Sequence, residues 1–116
     1  MARPPDDTAG FHSEPLVVET EAEFESLVHR TEVVLVDCYA DWCGPCRQMD
    51  PVIDQLASET AAAVLKVDVD QHPDIAAQYN VRSIPTYIVM ADGETQTRYV
   101  GKQPKSELEH ALVTVV

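Results

Sequence analysis

The sequence has 116 residues, which is enough for one domain and too few for two of ordinary size. Hydrophobic residues make up 45% of it, so the chain can bury a core without disulfide staples. Twenty acidic against eight basic side chains give a formal net charge of −12. This charge argues against nucleic acid and anionic membranes as partners, because both would repel the chain. The acidity either serves solubility or is an adaptation to high salt, which screens self-repulsion.

The cysteine content and the start of the chain indicate an intracellular, cytoplasmic protein. There are three cysteines, whereas a secreted disulfide framework normally uses an even number. Residues 1–14 contain no apolar run that resembles a signal peptide, and no stretch approaches the roughly 20 apolar residues of a membrane span. In the cytoplasm thiols are kept reduced, so a close cysteine pair is expected to be catalytic or metal-binding rather than structural.

The first third of the chain predicts a flexible tail followed by the start of a folded domain. Residues 1–14 are polar and proline-rich and form the predicted tail, and the domain covers residues 15–116. Residues 16–18 are apolar and predict a short edge strand. A hydroxyl at Thr20, three residues before a glutamate, matches a capping box and predicts a helix over residues 21–30.

The middle of the chain predicts two buried strands on either side of a long helix. Residues 33–39 are almost continuously β-branched or aromatic, which is typical of a strand buried on both faces. A helix follows from about residue 43 to Thr60, and Pro51 predicts a kink within it. Residues 63–70 predict the second central strand.

The last third predicts a short helix, a hairpin and a closing helix. Residues 73–79 begin with a proline that can start a helix, and residues 84–90 predict a strand that opens on a proline. Asp92-Gly93 is a hairpin turn signal before a strand over residues 95–100, and a helix begins near Pro104. The order β, α, β, α, β, α, β, β, α predicts an α/β fold with a central mixed sheet flanked by helices on both faces.

Cys43 and Cys46 stand two residues apart between a predicted strand and a predicted helix. Free backbone N–H groups and the macrodipole at a helix N-terminus stabilise a thiolate, which lowers the pKa of the thiol. We expect Cys43 to lie at the exposed end and to attack a disulfide, and Cys46 to lie more buried and to resolve the mixed disulfide. Pro45 stiffens the turn between them.

Two other uses of the cysteine pair are weaker. A structural disulfide is disfavoured in a reducing compartment. A zinc site needs about four ligands, and the chain has neither a second C-x-x-C nor a closely spaced histidine pair. We therefore expect no bound metal. A C-x-x-C within a βαβ pattern indicates a redox motif.

The motif Trp42-Cys43-Gly44-Pro45-Cys46, with Val36-Asp37 before it and Ile84-Pro85-Thr86 far downstream, resembles the active site of the thioredoxin family. The resemblance covers about residues 16–116. It implies the thioredoxin fold and a monomeric protein-disulfide reductase with no bound cofactor, whose redox group is the Cys43–Cys46 disulfide. It also implies disulfide-containing proteins as substrates and a separate thioredoxin reductase as the source of electrons.

Asp37 interrupts an apolar strand six residues before Cys43, and burying a carboxylate there costs free energy unless it has a partner or a task. The resemblance implies that Asp37 accepts the proton of Cys46, through water. The alternative is a strand-end aspartate that reaches solvent. Lys66 matches a lysine near this aspartate in the family, which implies a local electrostatic role, and the alternative is a solvated strand lysine.

The resemblance also implies a substrate-docking surface around the reactive sulfur. Pro85 matches the family's cis-proline, and the backbone at Ile84 is expected to pair with an extended substrate strand. The alternative for Pro85 is an ordinary proline at the start of a strand. The expected apolar patch comprises Trp42, Gly44, Pro45, Val69, Ile84, Val100 and Gly101. A core position is nearly as good an interpretation for Val69 and Val100.

Several residues depart from the family pattern. Cys38 follows Asp37 in the strand, so alternation directs it to the opposite face, where we expect an inert core thiol. Asp41 and Asp50 add negative charge near the motif, which should slightly oppose thiolate formation. Lys102 and Gln103 bring polar groups beside the patch and predict a shifted partner preference.

Two other functions remain open at the level of the sequence. A binding module would use the same patch to hold a partner, with redox chemistry secondary. An oxidase or isomerase would need a higher reduction potential and an oxidising compartment. The intact cysteine pair favours the reductase over both.

Overall fold

The computed structural model describes residues 13–115, which form five strands and four helices. The strands are β1 (Leu16–Val17), β2 (Val33–Tyr39), β3 (Ala63–Asp68), β4 (Thr86–Ala91) and β5 (Glu94–Val100). The helices are α1 (Glu21–Arg30), α2 (Gly44–Glu59), α3 (Pro73–Gln78) and α4 (Lys105–Thr114). The order agrees with the predicted one, and most of the predicted tail lies outside the described residues.

All five strands form one mixed sheet in the order β1-β3-β2-β4-β5. β3 pairs in parallel with both β1 and β2, whereas β4 runs antiparallel to β2 and to β5. β2 is therefore the central strand, with a parallel neighbour on one side and an antiparallel neighbour on the other. This position explains its almost uniformly apolar sequence, since both of its faces are covered.

Two apolar cores lie on opposite faces of the sheet, as the predicted fold requires. One core packs α2 and α4 against the face that includes Leu35 and Tyr87. The other packs α1 and α3 against the face that includes Val36 and Cys38. Alternate residues of β2 thus point into different cores, because successive side chains of a strand face opposite sides.

Two strand boundaries differ from the sequence prediction by two residues, and the other differences are of one residue. β3 ends at Asp68 rather than residue 70, because the Asp68 carboxylate accepts the backbone N–H of Asp70 at 2.9 Å and turns the chain. β4 begins at Thr86 rather than residue 84. The Thr86 hydroxyl donates to the carbonyl of Ser83 at 2.6 Å, which closes a turn before the strand starts.

The local signals at α1 and at the hairpin are confirmed. Thr20 caps α1 by accepting the backbone N–H of Glu23 at 3.0 Å, and the Glu23 carboxylate accepts the N–H of Glu19 at 2.8 Å. Asp92 and Gly93 have φ of 52° and 83°, the two positive values that a two-residue type I′ hairpin needs. α2 continues as one helix across Pro51.

Candidate active site

Cys43 and Cys46 lie at the junction of β2 and α2 and are joined by a disulfide bond. Cys43 is the N-cap of α2, and its sulfur accepts the backbone N–H of Cys46 at 3.2 Å. Pro45 occupies the first turn, where a missing N–H costs nothing. The sulfur of Cys43 therefore lies where free N–H groups and the helix dipole stabilise negative charge.

The predicted difference in exposure between the two cysteines is wrong for this disulfide form. Cys43 is 3% exposed and Cys46 is 5% exposed, so both are buried. What distinguishes the two residues is their position on the helix, since one caps it and the other lies within its first turn.

The charges around the disulfide are arranged more favourably than the sequence predicted. The first turn of α2 carries no acidic residue. The guanidinium of Arg47 donates to the backbone carbonyl of Asp41 at 2.6 Å, which holds a positive charge beside the motif. Asp50 lies one turn beyond Cys46 and is engaged in an ion pair with Lys66.

Asp37 lies in the middle of the sheet and is only 2% exposed, so the alternative in which it reaches solvent is wrong. Its neighbours in the sheet register are Lys66 on β3 and Tyr87 on β4. The ammonium of Lys66 donates to Asp37 Oδ2 at 3.2 Å. The cost of burying its charge outweighs this ion pair and raises the pKa of Asp37 to about 6. The carboxyl therefore gains and loses its proton near neutral pH.

Lys66 is a largely buried lysine rather than a fully solvated one, with a side chain 16% exposed. Its ammonium also donates to Asp50 Oδ1 at 2.9 Å and lies 4.7 Å from the centre of the Tyr39 ring. Burial opposes its charge, but Asp37 and Asp50 together raise the pKa of Lys66 above its ordinary value. The three charged side chains form what we call the acid cluster: Asp37, Lys66 and Asp50.

Tyr87 is a buried neighbour of the acid cluster that the sequence reasoning missed. Among the residues that the structure describes, its hydroxyl is the one buried side-chain polar atom without a hydrogen-bond partner. Burial, followed by the negative charges of Asp37 and Asp50, raises its pKa above the ordinary tyrosine value. The signal was available only through the strand pairing, which sets Tyr87 directly opposite Asp37.

The predicted docking patch is partly exposed, since Trp42, Pro45 and Val100 are exposed and its other members are half-buried: Gly44, Val69, Ile84 and Gly101. Trp42 is 68% exposed and Val100 is 58% exposed, so the core interpretation of Val100 is wrong. The indole N–H of Trp42 donates to Asp70 at 2.8 Å, which fixes the ring. A shallow cleft of about 140 Å³ beside the ring is lined by Trp42, Val69, Val81, Arg82, Ser83 and Ile84.

The Ile84–Pro85 peptide bond is cis, as the resemblance implied. Pro85 itself is buried, and its carbonyl accepts the backbone N–H of Gly101 at 2.8 Å. Gly101 has a φ of +92°, a conformation that other residues rarely adopt. Lys102 donates to Gln48 Oε1 at 2.7 Å, which holds a charged side chain between this end of β5 and α2.

Cys38 lies on the other face of the sheet, as alternation predicted. It is 1% exposed within the core beneath α1 and α3, and its thiol is free. Burial, followed by the charge of Asp37, raises its pKa to about 12. The thiolate is therefore strongly disfavoured at Cys38.

Within residues 13–115, no group of three or more histidine, cysteine or acidic side chains is arranged to hold a metal ion. In the same range no helix is both long and apolar enough to span a membrane. The chemically reactive group that the geometry offers is the Cys43–Cys46 disulfide.

Comparisons with known proteins agree with this geometry. The sequence pattern of the family described as Thioredoxin matches residues 15–114. Thioredoxin from Staphylococcus aureus is 48% identical over 99 residues, covering 84% of this chain and 94% of the relative. Among solved structures, a mutant thioredoxin of Halobacterium salinarum aligns with a TM-score of 0.85 and 42% identity, covering 88% of this chain and 90% of the other.

Schistosoma mansoni thioredoxin aligns with a TM-score of 0.82 and 31% identity, covering 90% of this chain and 98% of the other. The fold in these alignments is the one described above, a mixed five-stranded sheet between two helical layers. The chain therefore belongs to the thioredoxin family and is a thiol–disulfide oxidoreductase whose redox group is the Cys43–Cys46 disulfide, with no bound cofactor.

Proposed function

We propose that the chain reduces protein disulfides with Cys43 as the nucleophile and Cys46 as the resolving thiol. The Cys43 thiolate attacks one sulfur of a substrate disulfide, forming a mixed disulfide and releasing the other substrate sulfur as a thiolate. Cys46 loses its proton to Asp37 and attacks the Cys43 sulfur. This step re-forms the Cys43–Cys46 disulfide and releases the second substrate thiolate. The substrate gains two electrons and the cysteine pair loses two.

The N-cap position of Cys43 carries this assignment. Its sulfur accepts the Cys46 N–H at 3.2 Å, so the same backbone donor would stabilise a thiolate there. Cys46 lies inside the first turn of the helix rather than at its cap. Helix position therefore favours Cys43 as the first attacking group even though both residues are buried in the disulfide form.

The buried carboxyl of Asp37 supports its role as proton acceptor. A general base works best when its pKa lies near the working pH, and burial raises the pKa of Asp37 to about 6. An ordinary surface aspartate would hold a proton far too weakly. In this scheme water carries the proton from Cys46 to Asp37, as the family resemblance implies.

The docking patch supports substrates that are extended or flexible protein segments. Trp42 and Val100 expose apolar surface beside the motif, and the cleft at Ile84 offers a place for one substrate side chain. An extended segment could also pair with the backbone at Ile84, before β4 begins. Binding of this kind depends on the shape and apolar surface of the substrate segment rather than on its sequence.

We further propose that the protein works as a monomer in the cytoplasm and is recharged by a thioredoxin reductase. Family membership implies such a reductase and disulfide substrates in general. A reducing compartment suits this direction of reaction, because the disulfide formed in each cycle must be reduced again. The net charge of −12 disfavours nucleic acid and anionic membranes as additional partners.

Reduction of insulin disulfides by dithiothreitol tests the proposal, with Cys43→Ser beside the wild type at low and high salt. We expect turnover by the wild type and none above background by the variant. If the acidity is an adaptation to salt, turnover and folding also fall at low salt, because unscreened acidic groups repel one another. A folded wild-type protein without turnover in either salt would instead favour a binding module.

A further inference from the structure

Asp50 is the carboxylate of the acid cluster that neither the cysteine motif nor the proposed reaction uses. It lies on α2 four residues after Cys46, so the two side chains share one face of the helix. Its Oδ1 accepts from Lys66 Nζ at 2.9 Å, slightly closer than Asp37 Oδ2 at 3.2 Å. Since both oxygens contact one nitrogen, they are no more than about 6 Å apart.

Lys66 is held in place by more than its contact with Asp50. Its backbone belongs to β3, which pairs with strands on both sides. Its ammonium lies 4.7 Å from the Tyr39 ring centre, and its side chain is largely buried. Loss of Asp50 would therefore leave the ammonium beside Asp37 rather than release it to solvent.

We propose that Asp50 is a positioning residue for disulfide reduction. It accepts a hydrogen bond from the Lys66 ammonium, so this ammonium compensates the charge of Asp37 only in part. Asp37 therefore stays basic enough to take the proton of Cys46. The proposal rests on Asp37 being that proton acceptor. Asp50 touches neither cysteine sulfur in this scheme and acts only through Lys66 and through its own charge.

The charge balance of the cluster supports this assignment. Two carboxylates share one ammonium, so the lysine is doubly compensated while the buried carboxylate is only partly compensated. The pKa directions agree, since Asp50 adds to the rise for Asp37 through its charge and to the rise for Lys66 through its hydrogen bond. A carboxylate paired with an ammonium of its own would have a lowered pKa and would accept a proton less readily.

The other groups that face Asp37 from the packed elements do not supply this effect. β4 contributes the neutral phenol of Tyr87, and β2 contributes Tyr39 beside Lys66. α2 contributes the cysteine pair itself in addition to Asp50. The buried residues that α4 adds to this core are apolar: Leu108, Ala111 and Leu112. Asp50 is thus the one negative charge in the described structure that competes with Asp37 for Lys66.

The test is a carboxyl NMR titration of Asp37 in the oxidised full-length protein, for the wild type and three variants. Asp50→Asn should lower the pKa of Asp37 by about one unit, since the like charge is lost and Lys66 becomes a single partner. Lys66→Met should raise it. Asp54→Asn is the matched control, because it removes the same charge from an exposed site one turn further along α2 and should cause no resolvable shift.

Single-turnover kinetics of mixed-disulfide resolution give the functional readout. Asp50→Asn should slow resolution about threefold at neutral pH and move the inflection of its pH profile downward with the pKa of Asp37. Asp50→Ala, which removes the hydrogen-bond acceptor as well as the charge, should also slow resolution and move the inflection of the pH profile downward. Asp54→Asn should match the wild type.

The outcomes separate the two proposals. An unchanged or raised pKa of Asp37 in Asp50→Asn would overturn the role of Asp50, whatever the kinetics show. A lowered pKa with unchanged resolution would also overturn it, because the charge would then have no effect on the reaction. Failure of the underlying function is seen separately, since in that case Asp37→Asn itself would resolve the mixed disulfide at the wild-type rate.

Discussion

The two faces of β2 place adjacent residues in different surroundings. Asp37 points toward α2 and α4, where it meets Lys66 and, in register, Tyr87. Cys38, the next residue, points toward α1 and α3 and is surrounded by aliphatic and aromatic side chains. Both are almost fully buried, and burial raises the pKa of each.

What differs is the charge and the access that each face provides. The Asp37 face supplies the ammonium of Lys66 and the half-exposed carboxylate of Asp50, and the pKa of Asp37 is about 6. At this pKa the carboxyl can both accept and release a proton near neutral pH. On the Cys38 face, burial and the charge of Asp37 outweigh the opposing charge of Arg98, and the resulting pKa of about 12 keeps the thiol protonated. One face of the sheet is therefore suited to proton transfer and the other only to packing.

The largest expected contrast is between the thiols. Cys43→Ser should abolish disulfide reduction, because no nucleophile remains at the cap of α2. Cys38→Ala should leave the turnover rate within about twofold and act only on stability, since it removes one buried sulfur from an apolar core. Insulin reduction and thermal unfolding measure the two effects. Substantial loss of turnover in a folded Cys38→Ala protein would show that the Cys38 face of β2 also contributes to the reaction.

Asp37→Asn should weaken the activity and strengthen the fold. Resolution of the mixed disulfide should slow on the order of 10²-fold, the lower end of what a positioned base contributes. The folded-state pKa of about 6 lies above the ordinary 3.8, so the folded protein binds more protons between these values. The free energy of unfolding of the wild type therefore falls as pH rises from about 4 to about 6.

Denaturant unfolding at several pH values measures this second effect. The Asn variant should be more stable than the wild type at pH 7 by up to about 3 kcal/mol, with the difference vanishing near pH 4. A variant that is less stable than the wild type at pH 7 would mean that the carboxylate is fully compensated by Lys66. The description of Asp37 as an acid whose charge is disfavoured by burial would then be wrong.

Tyr87→Phe should have the smallest effect and also probes the Asp37 face. The buried hydroxyl has no partner among the described side chains and backbone, and an unsatisfied group of this kind costs about 1–3 kcal/mol. Its removal should raise the free energy of unfolding by about 1 kcal/mol, which chemical denaturation can measure. A loss of stability would instead indicate that water or Asp37 satisfies the hydroxyl.

The order of elements could be predicted from the sequence because each signal is local. Apolar runs, the Thr20 cap and the Asp92-Gly93 turn depend on residues close in the chain. The end of β3 and the start of β4 could not be predicted, because the side chains of Asp68 and Thr86 turn the backbone there. A hydrogen bond between a side-chain hydroxyl or carboxylate and the main chain produces no periodic pattern in the sequence.

The site was predictable where a motif fixes it and not where tertiary contacts do. The cysteine pair, Asp37 and Lys66 were identified from their spacing and from the family resemblance. The burial of Cys43 was missed, because exposure depends on tertiary packing that the motif alone does not specify. Asp50 was seen only as an unfavourable charge, since its contact with Lys66 spans two elements.

Trapping of the mixed disulfide tests the central assignment most directly. Cys46→Ser and Cys43→Ser would each be reduced and mixed with insulin, and the adducts located by peptide mass spectrometry, both in a Cys38→Ala background. The account predicts a stable adduct at Cys43 in the Cys46→Ser protein and none in the Cys43→Ser protein. An adduct formed at Cys46, with Cys43→Ser as the productive trap, would contradict it.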